Sequence, residues 1–248
     1  PFHIERKEKG RLMVSDGDNL VSVIVPTYLE EKCIEGCLRS VKNQDFSSDR
    51  IEIIVVDSNS PDKTRDIAKK YAHKVINIKE RGVGKARNTG VKHARGEILL
   101  FLDADTLLHP EFVRELTKTF RTNDLVCVSG SLRALSDDGL KEAIYGYFHF
   151  KILNKIMKIT SLFNFPLFVT NCCSCRRWAF EKIGGFDESL AIGEDLKFSL
   201  KIRKCGKCSV NKRSLAFASL RRTEKMGIIG GLLIFFRNYV RIVFLKKK

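Results

Sequence analysis

The apolar positions along this chain fall into two alternating rhythms. Residues 21–25 are a short β-branched run followed by Pro26, and residues 51–56, 75–78 and 98–102 repeat the pattern downstream. Short apolar runs bounded by turn formers read as strands buried on both faces. Between them the spacing changes. Residues 30–42 carry Cys33, Ile34, Cys37, Leu38 and Val41 at helical intervals, which predicts an amphipathic helix. Asp62 caps a second predicted helix running to about His73, and residues 84–95 predict a third. Strands alternating with helices in this way predict an α/β fold with a doubly wound, mostly parallel sheet.

Beyond Pro110 the rhythm loosens. Residues 125–128 and 129–135 predict two further strands, and residues 141–162 a long helix. On that helix Lys151, Lys155 and Lys158 share one face, while Ile152, Ile156, Ile159 and Phe163 share another. Such a basic amphipathic helix suits a bilayer surface, and equally a protein core with its lysines in solvent. Residues 226–236 are apolar apart from glycines; Arg237, Asn238 and Arg241 then form a polar stripe, and the chain ends in three lysines. A membrane span needs about 20 apolar residues, so an interfacial helix with snorkelling arginines is the expectation here.

Composition narrows the partners. With 248 residues, 44% hydrophobic and 30% charged, the chain suits one substantial core rather than two. The expected division is an N-terminal arm (1–20), one α/β unit (21–225) whose pattern changes after residue 110, and a basic membrane-associated segment (226–248). The sequence opens on Pro1, which suggests a trimmed start, and shows no secretory signal pattern. A formal net charge of +16 calls for an anionic partner. Its basic residues are interleaved with large aliphatics after Lys141, with no compact recognition helix or aromatic stacking platform. That favours an anionic membrane surface over nucleic acid.

Eight cysteines stand out, with Cys172, Cys173 and Cys175 in one group and Cys205-Gly206-Lys207-Cys208 in another. The second spacing is ligand-like, yet the first is irregular and no histidine flanks either. Buried thiols are the expectation, with zinc or disulfides as alternatives.

The most informative chemistry is Asp103-Ala104-Asp105 at the end of the run Glu97-Ile98-Leu99-Leu100-Phe101-Leu102. Paired carboxylates at a strand's carboxyl end can hold a divalent cation, and oxygen-only ligation suits Mg²⁺ or Mn²⁺ with positions left for phosphate. A second strand ends on Asp57, and a third acidic pair, Glu194-Asp195, follows much later. In doubly wound sheets ligands gather at the carboxyl ends of strands. Pro26-Thr27-Tyr28, Asp57 and Asp103 are therefore expected to share one pocket that handles a metal-bound diphosphate.

The ordered motifs resemble the family-two glycosyltransferases of GT-A fold. They are Val23-Ile24-Val25-Pro26-Thr27-Tyr28-Leu29-Glu30, Val55-Val56-Asp57-Ser58-Asn59-Ser60, Gly84-Lys85-Ala86-Arg87-Asn88-Thr89-Gly90, Phe101-Leu102-Asp103-Ala104-Asp105, and Gly184-Gly185-Phe186-Asp187-Glu188 with Gly193-Glu194-Asp195-Leu196. The resemblance implies a Rossmann-like mixed sheet in a single catalytic domain (21–225, with 21–110 the nucleotide-sugar half and 111–225 the acceptor half), a nucleotide-sugar donor (UDP or GDP), inversion at the anomeric carbon, and Mn²⁺ or Mg²⁺. Pro26, Tyr28 and Glu30 would then line the donor wall, with Tyr28 stacking on the base and Asp57 accepting from a uracil or guanine N–H. Lys85 and Arg87 would meet the donor phosphates. Asp103, Ala104 and Asp105 would face metal and ribose, Asp105 being the stronger metal ligand. Asp195 would be the general base, with Glu194 assisting. Arg133, Arg221 or Arg222 would reach an acceptor phosphate.

Two departures stand out. Leu220-Arg221-Arg222 occupies a place where many relatives carry a histidine, and Asp57-Ser58-Asn59 lacks a common second acid. The expected protein is an inverting, metal-dependent enzyme of the polyprenyl-phosphate or glycan-extending type. It would work peripherally at the cytoplasmic face of the cell membrane on a lipid-linked or surface-glycan acceptor. A soluble acceptor is the alternative. A nucleotidyltransferase would want a Gly-rich, Lys-containing turn after the first strand, which Thr27-Tyr28-Leu29-Glu30 lacks. A non-enzymatic membrane module would leave the acidic strand ends unexplained.

Overall fold

The computed structural model describes residues 20–122, 124–135 and 171–221, with single helical positions at 151, 154, 155, 158, 159 and 237. The expected N-terminal arm, most of the 141–162 helix and, apart from Arg237, the 226–248 segment lie outside the described residues.

The first half follows the expected alternation: β1 (Val21–Thr27), α1 (Ile34–Lys42), β2 (Ile51–Asp57), α2 (Thr64–Ala68), β3 (Lys74–Asn77), α3 (Val83–His93) and β4 (Ile98–Leu102). Then come β5 (Thr106–Leu108), α4 (Phe112–Thr122), β6 (Leu125–Leu135), β7 (Cys172–Arg176), α5 (Arg177–Lys182), α6 (Glu194–Ile202) and β8 (Lys207–Ser219). They build one eight-stranded sheet in the order β3-β2-β1-β4-β7-β6-β8-β5. Its first four strands are parallel. β7 runs antiparallel between β4 and β6, β8 returns parallel to β6, and β5 closes antiparallel on β8. The sheet is therefore mixed.

Three boundaries moved, each for a local reason. α1 begins at Ile34 rather than Glu30: residues 31–33 form a lead-in turn, with the Cys33 and Ile34 N–H groups donating to the Glu30 carbonyl (3.0 and 2.9 Å), after Leu29 at φ 58. α2 stops at Ala68 rather than near His73. By His73 the chain is already paired with β2: its N–H donates to the Ile53 carbonyl (2.9 Å) and its Nδ1 accepts from the Ile53 N–H (3.0 Å). β6 is one strand where two were expected, and the register shift at Gly130/Ser131 marks the join.

Strand alternation sorts the sheet into two buried faces. Val21, Val23 and Val25 of β1 and Ile98, Leu100 and Leu102 of β4 face α1 and α4, packing with Leu38, Phe112 and Phe120. Ile24, Leu99 and Phe101 face the other way, toward α3, α5 and α6. There Phe186 stacks on Phe198 at 4.5 Å between centroids and meets Phe101 edge-on at 4.9 Å, the geometries that aromatic quadrupoles favour. α3 lies close on β1 because Gly90 allows it: a Cβ there would come within 2.4 Å of the Ile24 Cγ2. The glycine that closes the third motif is thus a packing requirement, and it sets the height of Arg87 above the sheet.

Candidate active site

β2, β1 and β4 are adjacent parallel strands, so their carboxyl ends lie side by side along one edge of the sheet. Tyr28 follows β1, and Arg81 lays its guanidinium 4.3 Å from the Tyr28 ring centroid. Arg81 also donates to the Tyr28 hydroxyl. The sequence reading did not single out Arg81; its place just before Gly82 and α3 was the available signal. Pro26 lies within β1, paired with Val56 rather than ending the strand.

Asp57 is fully buried, and its carboxylate is occupied from within. Oδ1 accepts from the hydroxyls of Thr27 (3.0 Å) and Ser60 (2.6 Å), while Oδ2 accepts the Ser60 N–H (2.8 Å) and lies 3.5 Å from Arg65 Nε. In this geometry the side chain pins the turn after β2.

Arg87 is the largest correction. Expected on the donor phosphates, it is 2% exposed and bridges two acids from inside. Nη2 donates to Asp103 Oδ1 at 2.8 Å and Nη1 to Glu194 Oε1 at 3.1 Å, with the Phe186 ring 5.2 Å from its guanidinium carbon. Its neighbours on α3 explain the burial: Gly84 lies against the Phe186–Asp187 loop and Gly90 against Ile24 and Val56 of the sheet. Arg87 thereby ties Asp103, just past β4, to the acidic start of α6. Lys85 pairs with Glu80 at 3.1 Å and remains partly exposed.

The second half of the acidic motif has its own arginine. Arg221, just past β8, places Nη2 at 2.8 Å from both oxygens of Glu30 and 3.3 Å from Asp105 Oδ2. Those partners hold the Arg221 proton more firmly than usual, Glu30 most of all. Glu30, expected on the donor, is thus an ion-pair partner. Ala104 is corrected as well: the residue is 4% exposed and packs in the core. Arg133 lies exposed on β6 opposite Phe217 of β8.

α6 begins after Gly193, held at φ 90, a left-handed turn that glycine adopts at little cost. Glu194 is buried on Arg87. Asp195 is pushed up to about 7, first by burial and then by the like charge of Glu194, against the Leu196 N–H bond (2.7 Å) and Arg87, which pull it down. A carboxyl poised near neutrality suits proton acceptance. The preceding loop is clamped from two sides. Asn88 accepts the Phe186 N–H (2.9 Å) and donates to the Phe186 carbonyl (2.9 Å) and Glu188 (2.8 Å), and Asp187 pairs with Lys197.

The residues present fit a divalent cation. Asp103 and Asp105 offer hard carboxylate oxygens at one strand end, each on a different arginine. Among the described residues no group of three His, Cys, Asp or Glu side chains makes a self-contained metal site. An ion here therefore needs donors from a ligand, which is how Mg²⁺-type sites commonly share phosphates.

The cysteines are packing residues. All eight are free thiols. Cys172 packs on one face of the sheet and Cys173 and Cys175 on the other, as β7 alternates. Burial pushes Cys127, Cys172 and Cys175 well up, which makes them inert.

Comparisons with known proteins agree with this architecture. The sequence pattern of glycosyl transferase family 2 matches residues 22–184. Glycosyltransferase AglE of Haloferax volcanii is 28% identical over 194 residues, 75% of this chain and 62% of that one. Poly(ribitol-phosphate) β-N-acetylglucosaminyltransferase TarS of Staphylococcus aureus is 42% identical over 101 residues, 38% of this chain and 18% of TarS. The chain thus spans less than two thirds of either relative. The crystal structure of an S. aureus TarS fragment with UDP superposes with a TM-score of 0.65 at 26% identity, covering 80% of this chain and 60% of that one. On the match across most of its described residues, with the fold to support it, this chain belongs to glycosyl transferase family 2.

Proposed function

We propose that this chain transfers a sugar, with inversion, from a UDP- or GDP-sugar to a hydroxyl of a lipid-linked or surface-glycan acceptor. One observation carries the reading: Arg87 bonds Asp103 and Glu194 at once, so the diphosphate end and the proton-accepting end of the reaction lie side by side. UDP bound to TarS, a protein of the same family and fold, and the polyol-phosphate acceptor in its name support the substrate class.

The chain's own groups divide the work. Tyr28 and Arg81 would frame the base, Asp57 fixes the turn after β2, and the partly exposed Lys85 and Arg221 would meet the diphosphate. Asp103 and Asp105 would hold Mn²⁺ or Mg²⁺, which neutralises charge on the departing diphosphate. Asp195 takes the proton from the attacking hydroxyl on the face opposite the leaving group, and a single displacement from that side inverts the anomeric centre. Transfer from labelled UDP- and GDP-sugars to polyprenyl-linked glycans should release a nucleoside diphosphate and should vanish with EDTA or with Asp105→Ala. Full activity under both conditions would refute the reading.

The same proposal places the protein peripherally, at the cytoplasmic face of the cell membrane. The net charge of +16 and the exposed helical lysines 151, 155 and 158 support an anionic surface as partner. No described helix is long and apolar enough to cross a membrane. Flotation with phosphatidylglycerol vesicles should bring up the full chain, and much less of it after removal of residues 226–248; a full chain that stays at the bottom contradicts this placement.

A further inference from the structure

We infer that Arg221 makes metal binding and nucleoside diphosphate binding depend on one another, by standing beside the metal ligand until a diphosphate draws it away. The inference rests on the reading of Asp103 and Asp105 as metal ligands and adds a gate to that site.

The geometry is specific. A single nitrogen, Nη2, serves three carboxylate oxygens, both of Glu30 at 2.8 Å and Oδ2 of Asp105 at 3.3 Å. Glu30 precedes α1 and Asp105 follows β4, so the guanidinium closes a bridge between elements far apart in sequence. The Arg221 side chain is 37% exposed, whereas the carboxylates it holds are 14% and 10% exposed. Among the described residues its side-chain hydrogen bonds all run through Nη2, while a guanidinium has five N–H donors in a planar fork.

Two consequences follow from charge. A divalent cation approaching Asp105 meets a fixed positive group already on that carboxylate, and the like charges oppose each other across a partly desolvated site. A nucleoside diphosphate supplies the opposite charge and the geometry that an arginine fork binds bidentately. Once the fork turns to the diphosphate, Asp105 gives its oxygen to the cation, and the diphosphate adds the donors that the described residues lack. Metal and nucleotide therefore tighten each other, and the tightening is reciprocal. Arg221 is a positioning residue for the metal and a direct ligand of the diphosphate.

A bridge that served only to tie β8 to the start of α1 would behave differently. Mn²⁺ binding is read by electron paramagnetic resonance on the full chain, alone and with UDP or GDP in separate titrations. Arg221→Ala should bind Mn²⁺ without nucleotide roughly 5- to 150-fold more tightly than the parent, the usual span of coupling between sites. Its further gain on adding nucleotide should shrink by a similar factor. Arg221→Gln, which keeps a hydrogen bond to Glu30 without the charge, should do the same even if the alanine variant melts early; Arg221→Lys should retain most of the dependence. Unchanged or weaker Mn²⁺ binding without nucleotide in both the alanine and glutamine variants would overturn the gate. Asp105→Asn reports separately on the underlying reading: if it binds Mn²⁺ as the parent does, the metal assignment fails whatever Arg221 does.

Discussion

Asp195→Asn is expected to lower sugar transfer by about 10²- to 10⁴-fold, the usual worth of a positioned general base, with nucleotide affinity little changed. The amide keeps the shape and cannot take a proton. Steady-state transfer and nucleotide binding, measured on the same preparation, check both halves; a loss below tenfold would mean that the acceptor arrives already ionised, as a phosphate would. The pH dependence carries the same signature. Burial and Glu194 raise Asp195 from 3.8 to about 7, so activity should fall on the acid side as the base becomes protonated. A bound divalent cation beside Asp103 favours the ionised form and moves that limb to lower pH. For stability the sign is opposite. A raised carboxyl contributes fully below its unfolded value of 3.8 and loses that contribution as pH climbs through about 7.

Arg87→Met should be the most destabilising single change in the site. Removing one partner of a buried ion pair typically costs about 3–5 kcal/mol, because the charge left behind is no longer compensated. Here two carboxylates lose their shared cation, and Asp195 loses a neighbour that pulls its proton affinity down. Any transfer that survives should therefore show its acid limb at higher pH than the parent. Urea unfolding measures the first effect and the pH profile the second. Wild-type stability in the variant would remove Arg87 from the centre of the account.

Much of this was legible in the sequence because the first half is local. β1, β2 and β4 are apolar runs with acidic or polar ends, and a parallel sheet brings those ends together whatever follows. The second half was not legible for physical reasons. β7 is built from Cys172, Cys173, Ser174 and Cys175, small residues without the β-branched signal; read as a possible ligand cluster, they are an alternating strand buried on both faces. α4 carried a readable stripe in Phe112, Val113, Leu116 and Phe120 and was passed over. The roles of Arg87 and Arg221 depend on partners 107 and 191 residues away, and no local spacing reports such pairs. Asp57 shows the converse: its place at a strand end was readable, but the four groups that saturate its oxygens were not.

The central claim is that one cleft holds a nucleoside diphosphate against a cation on Asp103 and Asp105, beside Asp195. A crystal grown with Mn²⁺ and UDP or GDP tests it most directly, through the anomalous signal of the metal. The account predicts a peak about 2.1 Å from an Asp105 oxygen, bonded to the diphosphate, with Arg221 turned from Glu30 toward the phosphates. A nucleotide bound with its metal away from both aspartates, or on a surface remote from Asp195, would contradict it.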